Sequence, residues 1–404
     1  MRTKAQADWE AYRSHRSKYR RNLNEAKKQH FCSLIYSANN RCKMIWEIVN
    51  SERRSKKSDQ PVTNITVSEF NKFFTTISDI ISLSITNTSY DPLKFLHEIP
   101  KPSFSFFMPP ILETDVRQAI LKLKNSSSMD YYNLNSCMVK SVAEIIIEPL
   151  TCLLNKCLEE GVWPNAMKIS KIIPIHKKGA YDCVDNYRPI AIVAIIGKIF
   201  EIILKERLVD YFEQKSLFNM AQYGFRKHFS TLRALLDLVE IVVEGLDEGQ
   251  KTLATLCDLT KAFDCVDMNI LVAKLEYYGI RSNLLDLFKS YLDNRRQYVS
   301  YNGENSELLQ IHNGVPQGSV LGPILFIIYI NDLPSSIKNS SCILFADDTT
   351  ILSRGRLPDN TVGLEQAKQW FSANNLVLNE SKTGRVLFSS DRLDVRSEPV
   401  RLLG

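Results

Sequence analysis

Several features that would assign this chain to a common class are missing from its sequence. It contains nine cysteines, an odd number, and no Cys-x-x-Cys pair, which argues against a disulfide framework and against a zinc site of that type. The first 30 residues are basic and lack the apolar segment of a signal peptide. The longest apolar stretches, 190–204 and 320–330, are interrupted or too short to cross a bilayer. We therefore expect a soluble intracellular protein with reduced cysteines and no membrane partner.

Internal repeats, low-complexity segments and catalytic histidine patterns are also missing. None of the six histidines has a neighbour pattern that indicates a triad or a metal site. The 404 residues are enough for two or three subdomains, and a content of 44% hydrophobic and 24% charged residues is typical of globular proteins. The chemistry of this chain is therefore expected to depend on other residue types.

Positive charge is concentrated near the N-terminus. Residues 1–57 contain 15 Lys or Arg against 5 Asp or Glu, so they carry +10 although the whole chain carries only +6. This suggests contact with a phosphate backbone or an acidic partner, but a solvated helical face would have the same composition. A polar linker is expected over 52–60. Apolar spacings of four and three predict one helical stripe within this basic segment: Phe31, Ile35, Ala38, Cys42, Ile45 and Val49.

Helices and strands are predicted without regular βαβ alternation. Strands are expected at 168–176 and 385–389, on both sides of Asn302-Gly303, and beside the aspartates considered next. This mixture predicts an α+β fold in which helices back an antiparallel sheet. After a proline-rich connection at 87–110, helices are predicted at about 114–124, 140–160, 197–213, 230–246, 267–278, 283–293, 318–331 and 362–374.

Two adjacent aspartates, Asp347 and Asp348, lie between short apolar runs of strand length, which predicts a hairpin with both carboxylates at its tip. Like charges this close repel and raise each other's pKa unless a positive group compensates them. A divalent metal ion is the usual compensation. A solvated turn would explain the dipeptide alone, but the apolar flanks predict that the pair ends two buried strands.

Asp258 is a further carboxylate at the end of an apolar strand, and Asp264 begins the turn toward the next helix. If Asp258 joins Asp347 and Asp348 in one sheet, the three carboxylates would suit two Mg²⁺ ions that promote phosphoryl transfer. Taken alone, Asp258 is more simply a capping residue.

The segment 313–323 combines small residues and prolines at the start of a predicted helix. Such a segment can bring its backbone and the Gln317 side chain close to a planar or phosphorylated ligand. The alternative is a plain turn into a buried helix.

Five motifs in order resemble those of the reverse transcriptases of non-LTR (LINE-type) retrotransposons, over a region from about residue 110 to the C-terminus. The resemblance implies a right-hand polymerase with fingers and an antiparallel palm sheet backed by helices, preceded by a basic helical segment. The motifs are Asn186-Tyr187-Arg188-Pro189-Ile190, Asp258 with Phe263-Asp264, Pro316-Gln317-Gly318-Ser319, Phe345-Ala346-Asp347-Asp348 and Asn379-Glu380-Ser381-Lys382-Thr383.

The function implied by this resemblance is that of an RNA-directed DNA polymerase, a nucleotidyltransferase. Such an enzyme adds deoxynucleotides to a primer 3′-OH by two-metal phosphoryl transfer during retrotransposition. The expected partners are an RNA template, a DNA primer and deoxynucleoside triphosphates. Synthesis of the protein in the cytoplasm and activity in the nucleus are also implied.

The resemblance assigns metal and sugar contacts to individual residues. Asp258, Asp347 and Asp348 match the metal-binding aspartates of the palm, and the backbone carbonyl of Leu259 would be a further ligand for two Mg²⁺ ions, which Mn²⁺ could replace. Phe263 matches the steric gate that excludes a ribose 2′-OH. A rigid ring against the sugar leaves no room for that hydroxyl.

Contacts with the rest of the nucleotide are implied in the same way. Gln317 and Gly318 match the strip that lines the base and template side of the pocket. Arg188 resembles the arginine that holds the incoming triphosphate, because its fork suits phosphate oxygens. Lys177 and Lys178 are alternative second phosphate contacts.

Of two further positions, one has an alternative explanation and the other departs from the family pattern. Lys382 matches the lysine proposed as general acid for the pyrophosphate leaving group, although an exposed structural lysine is an equal alternative. Met129 stands in the segment Ser126–Tyr131, where relatives usually carry a Ser-x-Gly-x-Asp turn, and methionine lacks the conformational freedom of glycine.

The expected domains are a basic helical linker at 1–60, an N-terminal extension at 61–154 and a reverse transcriptase domain at 155–404, with fingers at about 155–250 and palm at about 251–404. The last residues, 400–404, resemble the start of the primer-grip motif, so a thumb is expected to be absent. The region before residue 110 is too short for the usual endonuclease domain. A truncated fragment of a longer reading frame is therefore expected.

Two other functions remain open. A catalytically silent fragment would retain only nucleic-acid binding through the basic N-terminus. An RNA-templated RNA polymerase would share the palm, but Phe263 argues against it because a ribonucleotide site needs room at that position.

Overall fold

The N-terminal residues form a unit of two helices. The computed structural model describes residues 2–38, 40–52, 63–85 and 90–390, and it divides into the units Met1–Asn64 and Ile65–Gly404. The first unit contains α1 (Arg2–Ser37) and α2 (Arg41–Glu52). The single helical stripe predicted across 31–49 is therefore wrong. A new helix begins after Asn40, whose carbonyl accepts the Met44 N–H at 3.1 Å, and asparagine favours such a position.

Two predictions concern segments that lie partly or wholly outside the described residues. Most of the predicted linker, 53–60, lies outside the described residues, as does the predicted primer-grip segment within 391–404. The predicted proline-rich connection contains one short 3₁₀ helix, Pro92–Glu98, in its described part.

The second unit contains helices and strands in irregular succession. Its helices are α3 (Val67–Leu83), α4 (Glu113–Lys122), α5 (Ser136–Ser141), α6 (Ala143–Glu160), α7 (Ile195–Gln214), α8 (Thr231–Asp247), α9 (Met268–Tyr277), α10 (Ser282–Leu292), α11 (Gly322–Tyr329), α12 (Leu333–Ser336) and α13 (Thr361–Ala373). Its strands are β1 (Ile169–His176), β2 (Tyr187–Val193), β3 (Lys251–Cys257), β4 (Arg295–Tyr301), β5 (Glu304–Asn305), β6 (Leu309–Ile311), β7 (Ser341–Phe345), β8 (Asp348–Gly355) and β9 (Gly384–Phe388).

Helix boundaries differ from the predictions where the backbone cannot continue. The helix predicted at 140–160 is preceded by a separate short helix, with a break at Val142, and it ends as predicted at Gly161, which takes φ 66. The helix predicted at 318–331 begins only at Gly322. Gly318 takes φ 128, outside the helical region, and Pro323 fits a helix only in its first turn.

One sheet is mixed. Its strand order is β2-β1-β4-β5, with β6 also paired to β4, and β1 and β4 run parallel while the other pairs are antiparallel. Asn302 and Gly303, with φ 49 and 86, form the two-residue turn after β4, which confirms the predicted hairpin. One face packs against α3 through Phe70 and Phe74.

The second sheet is entirely antiparallel, in the order β7-β8-β3-β9. Residues of α8 pack on one face against Ala254, Ile343 and Leu352, while Cys257 and Ile351 face the main core. The predicted α+β class is confirmed, and the antiparallel sheet backed by helices is this one. None of the helices in the described part of the chain combines the length and apolarity that a bilayer-spanning segment needs.

The main core surrounds α11, in which residues 324–329 are all fully buried. A buried ion pair lies beside it. The Lys274 ammonium donates to Asp332 and to the Tyr329 carbonyl, each at 2.6 Å, and the other Asp332 oxygen accepts the Trp370 indole N–H at 2.9 Å. Burial lowers the pKa of Lys274, and the Asp332 carboxylate opposes that change. These contacts join α9, α12 and α13 below the second sheet.

We predict that Lys274→Met lowers the free energy of unfolding by about 3–5 kcal/mol, because it leaves the Asp332 carboxylate buried without its cation. Thermal and denaturant unfolding measure this. The control is Lys289→Met, which removes an exposed pair with Asp286 and should change the stability by at most about 0.5 kcal/mol. Equal effects of the two variants would contradict the prediction.

Candidate active site

The adjacent aspartates occupy a tight hairpin between β7 and β8. Phe345 pairs with Asp348, so Ala346 and Asp347 form a two-residue turn, and Ala346 takes φ 57. Asp347 therefore lies in the turn itself and Asp348 is the first residue of β8. The hairpin predicted from the apolar flanks is confirmed.

The neighbouring strand brings Asp258 to the same end of the sheet. In the antiparallel pair of β3 and β8, Cys257 is opposite Thr349. Continuing this register by one residue brings Asp258 opposite Asp348. Asp258, Asp347 and Asp348, which come from two distant segments, thus lie at one end of the same sheet.

The electrostatics of this edge reflect that crowding. Burial raises the pKa of Asp347, and the charges of Asp348 and Asp258 raise it further. The pKa of Asp348 is also raised, first by burial and then by Asp258. Arg188 acts in the opposite direction on Asp347. The edge therefore disfavours the ionised carboxylates unless cations approach it.

One cation is already present. The Lys382 ammonium lies 3.2 Å from an Asp258 carboxylate oxygen.

In the described part of the chain, no three His, Cys, Asp or Glu side chains converge closely enough to hold a metal ion. The Leu259 carbonyl accepts no hydrogen bond from any described residue, so it is available as a further oxygen ligand.

A cleft of about 730 Å³ opens at this edge of the sheet. All the site residues predicted from sequence line it except Asp348, which is exposed beside it. The lining residues among those predicted are Lys177, Lys178, Arg188, Asp258, Leu259, Phe263, Gln317, Gly318, Asp347 and Lys382.

The basic side of the cleft is the loop between β1 and β2. Arg188 is exposed and pairs with Ile175 across these strands, and the Lys177 N–H donates to the Asn186 carbonyl at 2.8 Å. Burial lowers the pKa of Lys177, and the nearby charges of Arg188, Lys261 and Lys382 lower it further. Both predicted lysines are exposed, and Lys177 has other cations around it.

The ring of Phe263 is fixed by α11. It stacks on Phe326 with ring centroids 4.4 Å apart and an angle of 22° between the planes. The Phe263 carbonyl also accepts the Val315 N–H at 2.9 Å. A ring held by both backbone and side chain is rigid, which is the property that a steric gate requires.

Lys261 is a cleft residue that the sequence analysis did not select. It takes φ 47, and its ammonium pairs with Asp185 of the β1–β2 loop at 3.1 Å and lies over the Phe73 ring. This ion pair connects the two sides of the cleft. The position of Lys261, three residues after Asp258, was the available signal.

Gln222 and Gly224 support the aspartate hairpin from outside the cleft, and no local pattern in the sequence indicates this role. The fully buried Gln222 side-chain oxygen accepts the Ala346 N–H at 3.0 Å and the Gly224 N–H at 2.7 Å. A Cβ at Gly224 would lie 2.4 Å from the Ala346 nitrogen. The hairpin therefore rests directly on this segment.

The turn that contains Asp130 forms although Met129, and not a glycine, precedes it. The Asp130 carboxylate accepts the Tyr132, Leu134 and Ile195 N–H groups, each at 2.9 Å, and so ties this turn to the start of α7. Met129 is 40% exposed and takes no part in those bonds. The turn therefore forms without glycine.

We predict that Gly224→Ala displaces the aspartate hairpin and lowers the free energy of unfolding by about 1–3 kcal/mol, because a methyl group cannot fit against the Ala346 nitrogen. Hydrogen exchange should become faster in the peptide that contains the hairpin. Gly355→Ala, on β8 and with open space around it, should change neither quantity. Unchanged exchange in Gly224→Ala would contradict the prediction.

Comparison with known proteins agrees with this geometry. The family model described as reverse transcriptase (RNA-dependent DNA polymerase) matches residues 175–404. Three similar curated proteins, all from Drosophila melanogaster, are each 28% identical to this chain. They are the RNA-directed DNA polymerase from mobile element jockey (68% of this chain, 31% of the relative), the probable RNA-directed DNA polymerase from transposon BS (73% and 34%) and that from transposon X-element (70% and 32%).

The chain spans about a third of the length of these relatives. The matched region of the family model includes more than half of the chain and every predicted site residue. This chain belongs to the reverse transcriptase family.

Proposed function

We propose that this chain is the polymerase core of a non-LTR retrotransposon protein, an RNA-directed DNA polymerase that adds deoxynucleotides to a primer 3′-OH. The observation that carries the proposal is the cleft, whose lining combines aspartates, basic residues of the β1–β2 segment and an aromatic ring fixed by stacking. That arrangement suits a triphosphate substrate and a polynucleotide. The partners would be an RNA template, a DNA primer and deoxynucleoside triphosphates.

The domains follow from this proposal. Residues 155–250 would form the fingers and 251–404 the palm, with 61–154 as an extension of the polymerase and 1–60 as a basic linker. The mixed sheet then combines two strands of the fingers, β1 and β2, with three of the palm, β4, β5 and β6, and the antiparallel sheet lies wholly in the palm. In a cell, the protein would be made in the cytoplasm and act in the nucleus.

Divalent metal ions fit the donor chemistry of the carboxylate edge. Asp258, Asp347, Asp348 and the Leu259 carbonyl would hold two Mg²⁺ ions, or Mn²⁺, because hard cations prefer such oxygen ligands. When bound, these ions would lower the pKa of the primer 3′-OH and stabilise the charge of the transition state. The raised pKa values of Asp347 and Asp348 support the need for nearby cations.

The remaining side chains would bind and orient the nucleotide. Arg188, together with Lys177 or Lys178, would bind the triphosphate oxygens. Phe263 would press against the sugar. Lys382, now 3.2 Å from an Asp258 carboxylate oxygen, would leave that carboxylate and give a proton to the departing pyrophosphate.

Asp347→Asn and Asp348→Asn are each expected to lower primer extension about 10³-fold or more, because each removes a charge that the transition state requires. The assay measures dTTP incorporation on poly(rA)/oligo(dT). Asp210→Asn, an exposed carboxylate on α7 away from the cleft, is the matched control and should retain activity. Extension that survives in both aspartate variants would contradict the proposed function. Duplex binding without extension by the unaltered chain would favour a silent nucleic-acid-binding fragment.

Replacing Phe263 should change sugar selection. Phe263→Val is expected to raise the ratio of ribonucleotide to deoxynucleotide incorporation about tenfold or more, because the pocket gains room for a 2′-OH. Phe263→Tyr keeps the ring and should keep the selection. Removal of the 80% exposed ring in Phe107→Val controls for loss of an aromatic side chain elsewhere. An unchanged ratio in Phe263→Val would show that the ring is not the gate.

A further inference from the structure

Asp264 is a charged residue beside the cleft to which the proposed mechanism gives no role. It follows Phe263 and contributes to the wall of a small cavity of about 40 Å³, together with Gly314 and with Gln317, which also lines the cleft. Burial raises its pKa to about 6, against the opposing effects of Gln317, Lys261 and Lys177. A carboxylate held in an unfavourable environment is often retained for its contacts.

The contact that Asp264 makes is with Gln317. The Gln317 amide nitrogen lies 2.9 Å from one carboxylate oxygen and 3.0 Å from the other. An ionised carboxylate can only accept hydrogen bonds, so it must face the amide NH₂ group. The carboxylate therefore fixes which way the amide is turned and leaves the amide oxygen as the group available to another partner.

The backbone around Gln317 is fixed as well. The Gln317 carbonyl accepts the Ala191 N–H at 2.7 Å, and a Cβ at Gly318 would lie 2.3 Å from the Ala191 carbonyl oxygen. Gly314 approaches the Asp264 backbone so closely that a Cβ there would lie 2.8 Å from its carbonyl oxygen. With the main chain held in this way, the orientation of the side-chain amide is the remaining freedom, and Asp264 removes it.

We propose that Asp264 is a positioning residue that orients the Gln317 amide toward the nucleotide in the cleft. This rests on the proposed function, because Gln317 is there a nucleotide contact. Asp264 does not itself line the cleft and is not among the proposed metal ligands. Its removal should therefore weaken binding of the incoming nucleotide more than it slows the chemical step.

Stability measurements distinguish a positioning role for Asp264 from a purely structural one. Because the fold raises the pKa of Asp264, the folded protein binds this proton more tightly than the unfolded chain, so the ionised form lowers stability at pH 7. Asp264→Asn should therefore unfold at no lower temperature than the unaltered protein, and this advantage should shrink as the pH falls from 7 through 6 toward 4. If Asp264 only stabilised the fold, the neutral variant would unfold earlier at pH 7.

The test combines stability with steady-state primer extension. Asp264→Ala is expected to raise the KM for dTTP about tenfold, as loss of a hydrogen bond to a charged group predicts, with kcat changed less than about threefold. Asp264→Asn should raise the KM by less, because its amide oxygen can still accept from Gln317 but carries no charge. In a Gln317→Met background, Asp264→Ala should raise KM by less than about twofold, because the amide it orients is gone. An equal rise in both backgrounds, or an unchanged KM in the single variants, would overturn the proposal.

Asp267→Ala is the control from the same segment. Asp267 accepts the Asn269 and Ile270 N–H groups and so caps α9, without contact to Gln317. It should lower the melting temperature and leave KM unchanged, the reverse of Asp264→Asn. If the unaltered chain neither extends primers nor is stabilised by dTTP and Mg²⁺ on a primer–template, the proposed function fails and this inference fails with it. A working enzyme with unaltered KM in the Asp264 variants contradicts this inference alone.

Discussion

The antiparallel register between β3 and β8 is the constraint on which the cleft depends. It sets Asp258 opposite Asp348 although 90 residues separate them in sequence. Because side chains alternate along a strand, a shift by one residue would turn one carboxylate to the other face of the sheet. Ala254 and Leu352 are paired on the same face as these aspartates, and their burial against α8 resists such a shift. A few apolar contacts thus hold an arrangement that electrostatic repulsion opposes.

Lysine side chains lie around this edge of the sheet, where they reduce the repulsion between the aspartates. Lys382 already neutralises Asp258, and Lys261 is occupied by Asp185. Both lysines lie at the cleft with an acidic partner that a more strongly charged ligand could replace. This follows from Coulomb's law, because a triphosphate carries more negative charge than one carboxylate does.

The sequence was most informative where the pattern is local. The apolar runs around Asp347 and Asp348 predict the hairpin, and Asn302-Gly303 predicts the other one. Prediction was weaker where a distant contact decides. Gln222 lies 124 residues from Ala346, and nothing in its own neighbourhood indicates that it holds that turn. The family resemblance selected the cleft residues, but the partner of Gln317 became visible only when the two segments were brought together.

The boundaries of helices were also hard to predict from local sequence patterns alone. The spacing of apolar residues from 31 to 49 fits one helix, but spacing does not indicate that α1 ends at Ser37 and α2 begins at Arg41. Likewise, the apolar run after residue 318 hides a non-helical start, because Gly318 takes its conformation from close contact with Ala191 on another strand. Periodicity reports which face of an element is apolar and says little about where a distant backbone interrupts it.

The central claim is that the carboxylate edge is a metal-dependent phosphoryl-transfer site. The most direct test is a crystal structure of the chain with a DNA primer on an RNA template, a non-hydrolysable deoxynucleoside triphosphate and Mn²⁺, with anomalous scattering to locate the metal. The account predicts anomalous peaks between Asp258, Asp347 and Asp348, with Lys382 withdrawn from Asp258. A bound nucleotide without metal peaks at these carboxylates, and with Lys382 still paired to Asp258, would contradict it.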